Sequence, residues 1–164
     1  MRIAAAVGMR LEAFSDSSGG NAEESAHVAA SGRGPRRGRI LIMDDDGMVR
    51  DTMRRQLVVC GFEVVATVHG EEALIAYLQA RDSGRPFDAV ILDLVVDDGW
   101  GGERTLSELL RLDPAVRALV CSGSLNGPKA HYEKKGFLNT LAKPYSLDEL
   151  RDRLDGILPP QAAV

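Results

Sequence analysis

The sequence is short of cysteine, of long apolar runs and of basic charge, and each shortage excludes something. Its only cysteines, Cys60 and Cys121, lie far apart with no CxxC pair, so neither a zinc site nor a disulfide framework is expected, and a reducing, cytoplasmic setting fits best. No apolar stretch approaches the ~20 residues that a membrane span needs, and MRIAAAVGMR lacks the full apolar region and small-residue cleavage site of a secretory signal. No membrane partner is expected. A formal net charge of −4 argues against a general nucleic-acid footprint, so nucleic acid is not expected as a partner and a small cation is the more natural guest.

What remains is a chain of 164 residues, 45% hydrophobic and 27% charged, the composition of one globular domain with a real core. Residues 1–37 are rich in Gly, Ser and Ala and show no period of 2 or 3.6, so they read as a flexible low-complexity tail. Charges nearly cancel there, which leaves the acidic balance in the remainder. The basic segment RGPRRGR could touch a nucleic acid, but a solvated linker is the better reading.

From Arg39 onward, short apolar runs alternate with amphipathic segments, the pattern of a parallel sheet with helical crossovers. The runs are RILIM (39–43), FEVVAT (62–67), DAVILD (88–93), VRALVC (116–121) and FLNTLA (137–142). Between them, Val49, Met53, Leu57 and Cys60 form one helical stripe, Ala73, Tyr77 and Ala80 another, and Leu106, Leu109 and Leu110 a third. A helix near 128–135 is the weakest, opened by Gly127 and Pro128. The last is the best marked. Ser146 and Glu149 form a capping box, Leu147, Leu150, Leu154 and Ile157 a buried stripe, and Pro159 and Pro160 a stop, leaving 159–164 as a short C-terminal tail.

In a right-handed series of this kind every strand's carboxyl end opens onto one edge of the sheet, where ligands of open α/β sheets bind. Strand 1 ends there in Asp44 and Asp45, strand 3 in Asp93, strand 4 in Ser122 and strand 5 in Lys143, while strand 2 brings only Val68, His69 and Gly70. Two carboxylates about 4 Å apart repel by roughly 4 kcal/mol at an effective dielectric near 20. Something should offset that within the run Asp44-Asp45-Asp46. Solvent and helix capping are the bland answers. The sharper one is Mg²⁺, which takes a few carboxylates and keeps several waters, with Asp93 then placed to accept a phosphoryl group beside the Lys143 ammonium and the Ser122 hydroxyl.

At this point the chain resembles the receiver domain of two-component response regulators. DD at 44–45 after an apolar strand, D93 in AVILDLVV, S122 and G123 in LVCSG, and K143 and P144 in LAKPY carry the likeness, over about residues 38–158. LDLVVDDGWGGERTL and GFLNTLAKPYSLDEL are most similar to receivers fused behind sensor histidine kinases. The resemblance implies a flavodoxin-like, doubly wound α/β fold: a five-stranded parallel sheet of order 2-1-3-4-5 with helices on both faces. It also implies Asp93 as phosphoacceptor, Asp44, Asp45, Asp93 and the Val95 main-chain carbonyl as Mg²⁺ ligands, Ser122 and Lys143 as readers of the phosphoryl group, and a cis peptide before Pro144. A histidine kinase or phosphotransfer protein would donate the phosphoryl group and a downstream protein would read the surface near the fourth and fifth helices.

The departures carry expectations of their own. Asp97 stands where the family often has Pro, which predicts a looser, more acidic loop. Thr140 replaces the aromatic switch ring found three positions before the lysine in many members, so output would rest on the Ser122 hydroxyl. Val95 cannot orient a hydrolytic water and Ser124 does so only weakly, which predicts slow self-dephosphorylation by a chain that is otherwise not an enzyme. Trp100 reads as a partly exposed loop ring and Cys121 as a buried strand residue. His27, His69 and His131 fit no metal spacing.

Two rivals stand beside this reading. DDDG after an apolar strand also suits a haloacid dehalogenase-type phosphatase, with Asp44 as nucleophile and Asp46 as acid/base. Such an enzyme needs an acidic pair on a loop beyond the lysine, whereas Asp148, Glu149, Asp152 and Asp155 fall in a capped helix. The other rival is a receiver that binds proteins without phosphorylation. The terminal segments are too short for an output domain or a kinase core, so action through a partner is expected; oligomeric state is left open.

Overall fold

The computed structural model describes residues 37–159; the N-terminal tail through residue 36, including His27, and the end of the C-terminal tail lie outside the described residues. Five strands, β1 (Gly38–Met43), β2 (Phe62–Thr67), β3 (Ala89–Leu92), β4 (Ala118–Ser122) and β5 (Asn139–Ala142), alternate with five helices, α1 (Gly47–Val59), α2 (Gly70–Asp82), α3 (Gly102–Leu112), α4 (Lys129–Glu133) and α5 (Leu147–Asp155). All strand pairs are parallel and the order is β2-β1-β3-β4-β5, as expected.

Side chains alternate across a strand, so each β run serves two cores. Ile40, Ile42, Ala89, Ile91, Leu119 and Leu141 face Met53 and Leu57 of α1 and Leu150 and Leu154 of α5. Leu41, Met43, Val90, Leu92 and Val120 face Ala73 and Tyr77 of α2, Leu106 and Leu109 of α3, and Tyr132 of α4. Helices therefore cover both faces, which is why these strands read as near-continuous apolar runs. The capping box of α5 is present, with Ser146 Oγ accepting from Glu149 N–H and Glu149 returning to the Ser146 amide. Helix α4 keeps only five residues, bracketed by Gly127 at φ +124° and Gly136 at φ +101°. Strand bounds depart from the apolar runs by a residue or two, since an apolar side chain can be buried just before the ladder begins, as Phe137 is.

Arg37, which composition assigns to the tail, is tied to the fold. Its amide donates to the Gly61 carbonyl at 3.1 Å, its guanidinium lies over the Phe62 ring and it pairs with Asp155. Arg39 pairs with Glu63 at 3.0 Å and stacks on Phe87. Two cations of RGPRRGR are thus engaged within the domain. No described helix is long and apolar enough to cross a membrane.

Candidate phosphoacceptor and metal site

Register places the site. Met43 pairs with Leu92 at the last rung between β1 and β3, so the next residues, Asp44 and Asp93, emerge side by side; the Asp93 amide still donates to the Met43 carbonyl at 3.0 Å. On the other side of β3, Ser122 pairs with Ala142 and the Lys143 amide donates to the Ser122 carbonyl at 3.0 Å, which brings the lysine to the same edge. The carboxyl end of β2 brings no acid to the site: Thr67 Oγ1 donates to the Ile42 carbonyl and the Thr67 carbonyl accepts the Asp44 amide.

The Lys143 ammonium donates to Asp44 Oδ2 and to Asp93 Oδ2, 2.6 Å each. Asp44, Asp45 and Asp93 each offer one carboxylate oxygen, all within 4.8 Å of one another. Asp44 is 2% exposed and Asp93 8%. Burial pushes the Asp44 carboxyl above its ordinary range despite the hydrogen bond and charge of Lys143, and the Asp93 charge adds to the rise. For Lys143, burial works to lower the pKa, but hydrogen bonds to the two carboxylates and their charges together outweigh it and the ammonium is held above its ordinary value. With three carboxylates and one ammonium the side-chain charges sum to −2, which a divalent cation would neutralise; the oxygens fit Mg²⁺, a hard ion satisfied by few carboxylates.

The third aspartate of the run has a different task. Asp46 is the N-cap of α1, and its Oδ1 accepts the amides of Met48 and Val49 at 2.8 and 3.1 Å. Its carboxylate serves the helix, not the acid pocket, which leaves the phosphatase reading without its acid/base. Asp46→Ala is expected to cost about 1 kcal/mol of stability, the usual worth of an Asp cap, measured as a lower urea midpoint at unchanged slope.

Val95 lies two residues past Asp93, its amide 3.3 Å from Asp93 Oδ1 and its side chain 56% exposed. Ser122 is buried, its Oγ accepting the Ser124 amide at 3.3 Å, while Ser124 is exposed. The loop after β3 is more tightly held than its sequence suggests: the Asp97 amide donates to Asp45 Oδ2 at 2.9 Å. Lys143–Pro144 is cis. Cys121 is buried, and burial pushes its thiol up to about 12, with Tyr145 as hydrogen-bond partner. Thr140 is half-buried in β5, and Trp100 is half-buried beneath the Arg104 guanidinium, 4.2 Å from its ring centre.

Some participants carry no clear sequence signal. Arg50 of α1 donates to the Asp44 carbonyl at 2.6 Å, and nothing in helical spacing marks it apart from Arg54 and Arg55. Tyr145 lines, with Met48, Val49, Thr52, Gln56 and Pro144, a groove of about 500 Å³ that opens beside Lys143; its place next to the KP pair was the available clue.

A family model described as the response regulator receiver domain matches residues 40–155, from within β1 to the end of α5. The transcriptional regulatory protein PrrA of Mycobacterium tuberculosis is 34% identical over 125 residues, 73% of this chain and 49% of that protein. The response regulator MprA of Mycolicibacterium vanbaalenii is 34% identical over 122 residues, 73% of this chain and 50% of that protein. This chain thus spans about half the length of the curated relatives it matches, and because PrrA is named a transcriptional regulator, the expectation that nucleic acid is not a partner finds no support among them. In fold, the chain is similar to a CheY-like receiver domain protein from Methanospirillum hungatei JF-1, with a TM-score of 0.61 at 23% identity over 71% of this chain and 90% of that one. A match that runs from the first acid-bearing strand through the capped last helix settles membership: the chain belongs to the response regulator receiver domains of two-component systems.

Proposed function

We propose that this receiver takes a phosphoryl group onto Asp93 from a histidine kinase or phosphotransfer protein, in a Mg²⁺-dependent reaction, and so switches a protein-binding surface. The observation that carries the reading is the Lys143 ammonium lying 2.6 Å from both Asp44 and Asp93 with Asp45 completing an all-oxygen cluster. Asp44, Asp45, Asp93 and the Val95 carbonyl would hold Mg²⁺, which when bound supplies positive charge to the transferring oxygens.

The chain's own groups account for the rest. Asp93 is the nucleophile: one of its carboxylate oxygens bonds to phosphorus as the bond to the donor's leaving group breaks, leaving an acyl phosphate. Lys143 already contacts Asp93 Oδ2 and is placed to follow the new charge, while the Ser122 hydroxyl supplies a donor from the adjacent strand. With Thr140 in place of an aromatic ring, the Ser122 movement carries the switch. The groove beside Lys143, with Met48 83% exposed at its rim, suits docking of the donor protein next to the acceptor.

The chain is not an enzyme in this reading, since Asp93 is itself the acceptor. It sits in the cytoplasm, in keeping with two free cysteines. Its output partner is a protein; the names of the longer relatives make a DNA-regulating assembly the natural place for that partner. Incubation with acetyl phosphate and Mg²⁺ followed by intact mass tests the proposal: one added phosphoryl mass supports it, and no gain with a fully folded sample favours a receiver that binds partners without phosphorylation.

Hydrolysis of the acyl phosphate is expected to be slow, because the exposed Val95 side chain has no polar atom with which to hold an attacking water. Val95→Asn should shorten the phosphoryl lifetime by at least about 10-fold, a modest part of the ~10²–10⁴ a positioned proton-transfer group supplies. Lifetimes read by mass after removal of acetyl phosphate check this; a lifetime of seconds that the substitution leaves unchanged would defeat it.

A further inference from the structure

The loop from Leu94 to Gly101 joins β3 to α3 and holds two backbone groups at the acid pocket, the Val95 amide on Asp93 and the Asp97 amide on Asp45. Its sequence, LVVDDGWG, contains no proline to fix a φ angle, and Gly99 at φ +117° adds freedom. The restraint comes from α2 instead. The Trp100 amide donates to Glu71 Oε2 at 3.1 Å, and the Trp100 carbonyl accepts the Gly70 amide at 3.0 Å. Gly99 lies so near that a Cβ there would stand 2.9 Å from His69 Cβ and 3.1 Å from Glu71 Oε2.

Glu71 is the one side chain of α2 whose hydrogen bond, among the described residues, reaches this loop. Its carboxylate also lies 3.1 Å from His69 Nδ1, without hydrogen-bond alignment. Burial works to raise its pKa, but the Trp100 amide, its own amide and the charges of His69 and Arg104 outweigh that and hold it below the ordinary carboxylate range. The acceptor is therefore ionised at neutral pH. Glu72, its neighbour in the same first turn, turns the other way and accepts the Val68 amide at 2.9 Å.

We propose that Glu71 is a positioning residue for the metal site: by gripping the Trp100 amide it fixes the loop that presents the Val95 carbonyl and the Asp97 amide to Asp44, Asp45 and Asp93. The helix thereby supplies a restraint that a loop proline would supply covalently. This inference rests on the Mg²⁺ reading above and extends it to a residue that touches neither ion nor phosphoryl group.

Calorimetric titration of the full chain with Mg²⁺, well below its melting temperature, tests it. Outer residues that orient metal ligands typically affect affinity by ~10–100-fold, so Glu71→Ala should weaken binding by about 10-fold, while Glu71→Gln, which keeps an acceptor oxygen, should stay within about 2-fold of wild type. Glu72→Ala removes the same charge from the same helical turn and should leave the affinity unchanged. Glu71→Asp, which keeps the charge but shortens the reach, should weaken binding, and it carries the test if Glu71→Ala does not fold. Wild-type affinity in Glu71→Ala or Glu71→Asp, or equal losses in Glu71→Gln or Glu72→Ala, would overturn the proposal while leaving the metal reading intact. A wild-type protein that binds no Mg²⁺ would remove the metal reading and this inference with it.

Discussion

Asp93→Ala is expected to abolish phosphoryl uptake: with acetyl phosphate and Mg²⁺ the wild type gains one phosphoryl mass and the variant gains none. Three carboxylates of the pocket compete for the role. Asp44 is the more deeply buried of the pair on Lys143, 2% exposed against 8% for Asp93, which makes it the less reachable. Asp45 is half-buried, but one of its oxygens already accepts the Asp97 amide. Asp44 and Asp93 each take Lys143 on one oxygen and the amide two residues on, that of Asp46 or Val95, on the other, but Asp93 is the more exposed and its amide contact the longer, 3.3 Å against 3.0 Å. Loss should be complete and not partial, because no other group can take over the bond to phosphorus. The fold should survive, since Lys143 keeps Asp44 as partner and one repulsive charge is removed from the pocket. Uptake that persists in the variant, and maps by peptide mass to Asp44 or Asp45, would reassign the acceptor.

How much of this could be read in advance depends on whether a feature is periodic or long-range. The five strands and the two-faced core follow from apolar runs and helical stripes, and the four strand ends that carry Asp44, Asp45, Asp93, Ser122 and Lys143 follow once all strands run the same way. The division of the Asp44-Asp45-Asp46 run does not follow. Asp45 and Asp46 are chemically alike, and only the backbone turn into α1 decides that one faces the pocket while the other caps a helix. The grip of Glu71 on the loop after β3 was equally hidden, because it joins residues whose proximity depends on how α2 and α3 pack, as did the engagement of Arg37 and Arg39 by Asp155 and Glu63. Where the sequence suggested a loosened loop from the absence of proline, a hydrogen bond from a different helix supplies the missing restraint.

The second large effect is expected from Lys143→Met, on stability as well as on phosphoryl transfer. Removing the ammonium leaves Asp44 and Asp93 facing one another with no cation between them. Breaking one side of a buried ion pair typically costs ~3–5 kcal/mol; the cost here should be about 2–3 kcal/mol, because the Lys143 side chain is 17% exposed and solvent screens part of the pairing. For a domain of this size that corresponds to a melting temperature lower by about 10 °C. The pH dependence follows from the directions of the two shifts. A lysine whose pKa is raised on folding adds stability that is present below its unfolded value of ~10.4 and lost as pH climbs through the folded one. An aspartate whose pKa is raised adds stability in acid that is lost as pH rises past its unfolded value of ~3.9. The gap between wild type and variant should therefore be widest near neutral pH, narrow as falling pH passes through the raised value of Asp44, and narrow again as rising pH passes through the raised value of Lys143 and the wild-type lysine loses its charge. Added Mg²⁺ should recover part of the deficit, since any cation that binds the native pocket alone stabilises it by mass action. Thermal melts across pH, with and without millimolar Mg²⁺, measure all three; a deficit indifferent to pH and to the metal would show that Lys143 acts through packing alone, and the charge balance assigned to the pocket would be wrong.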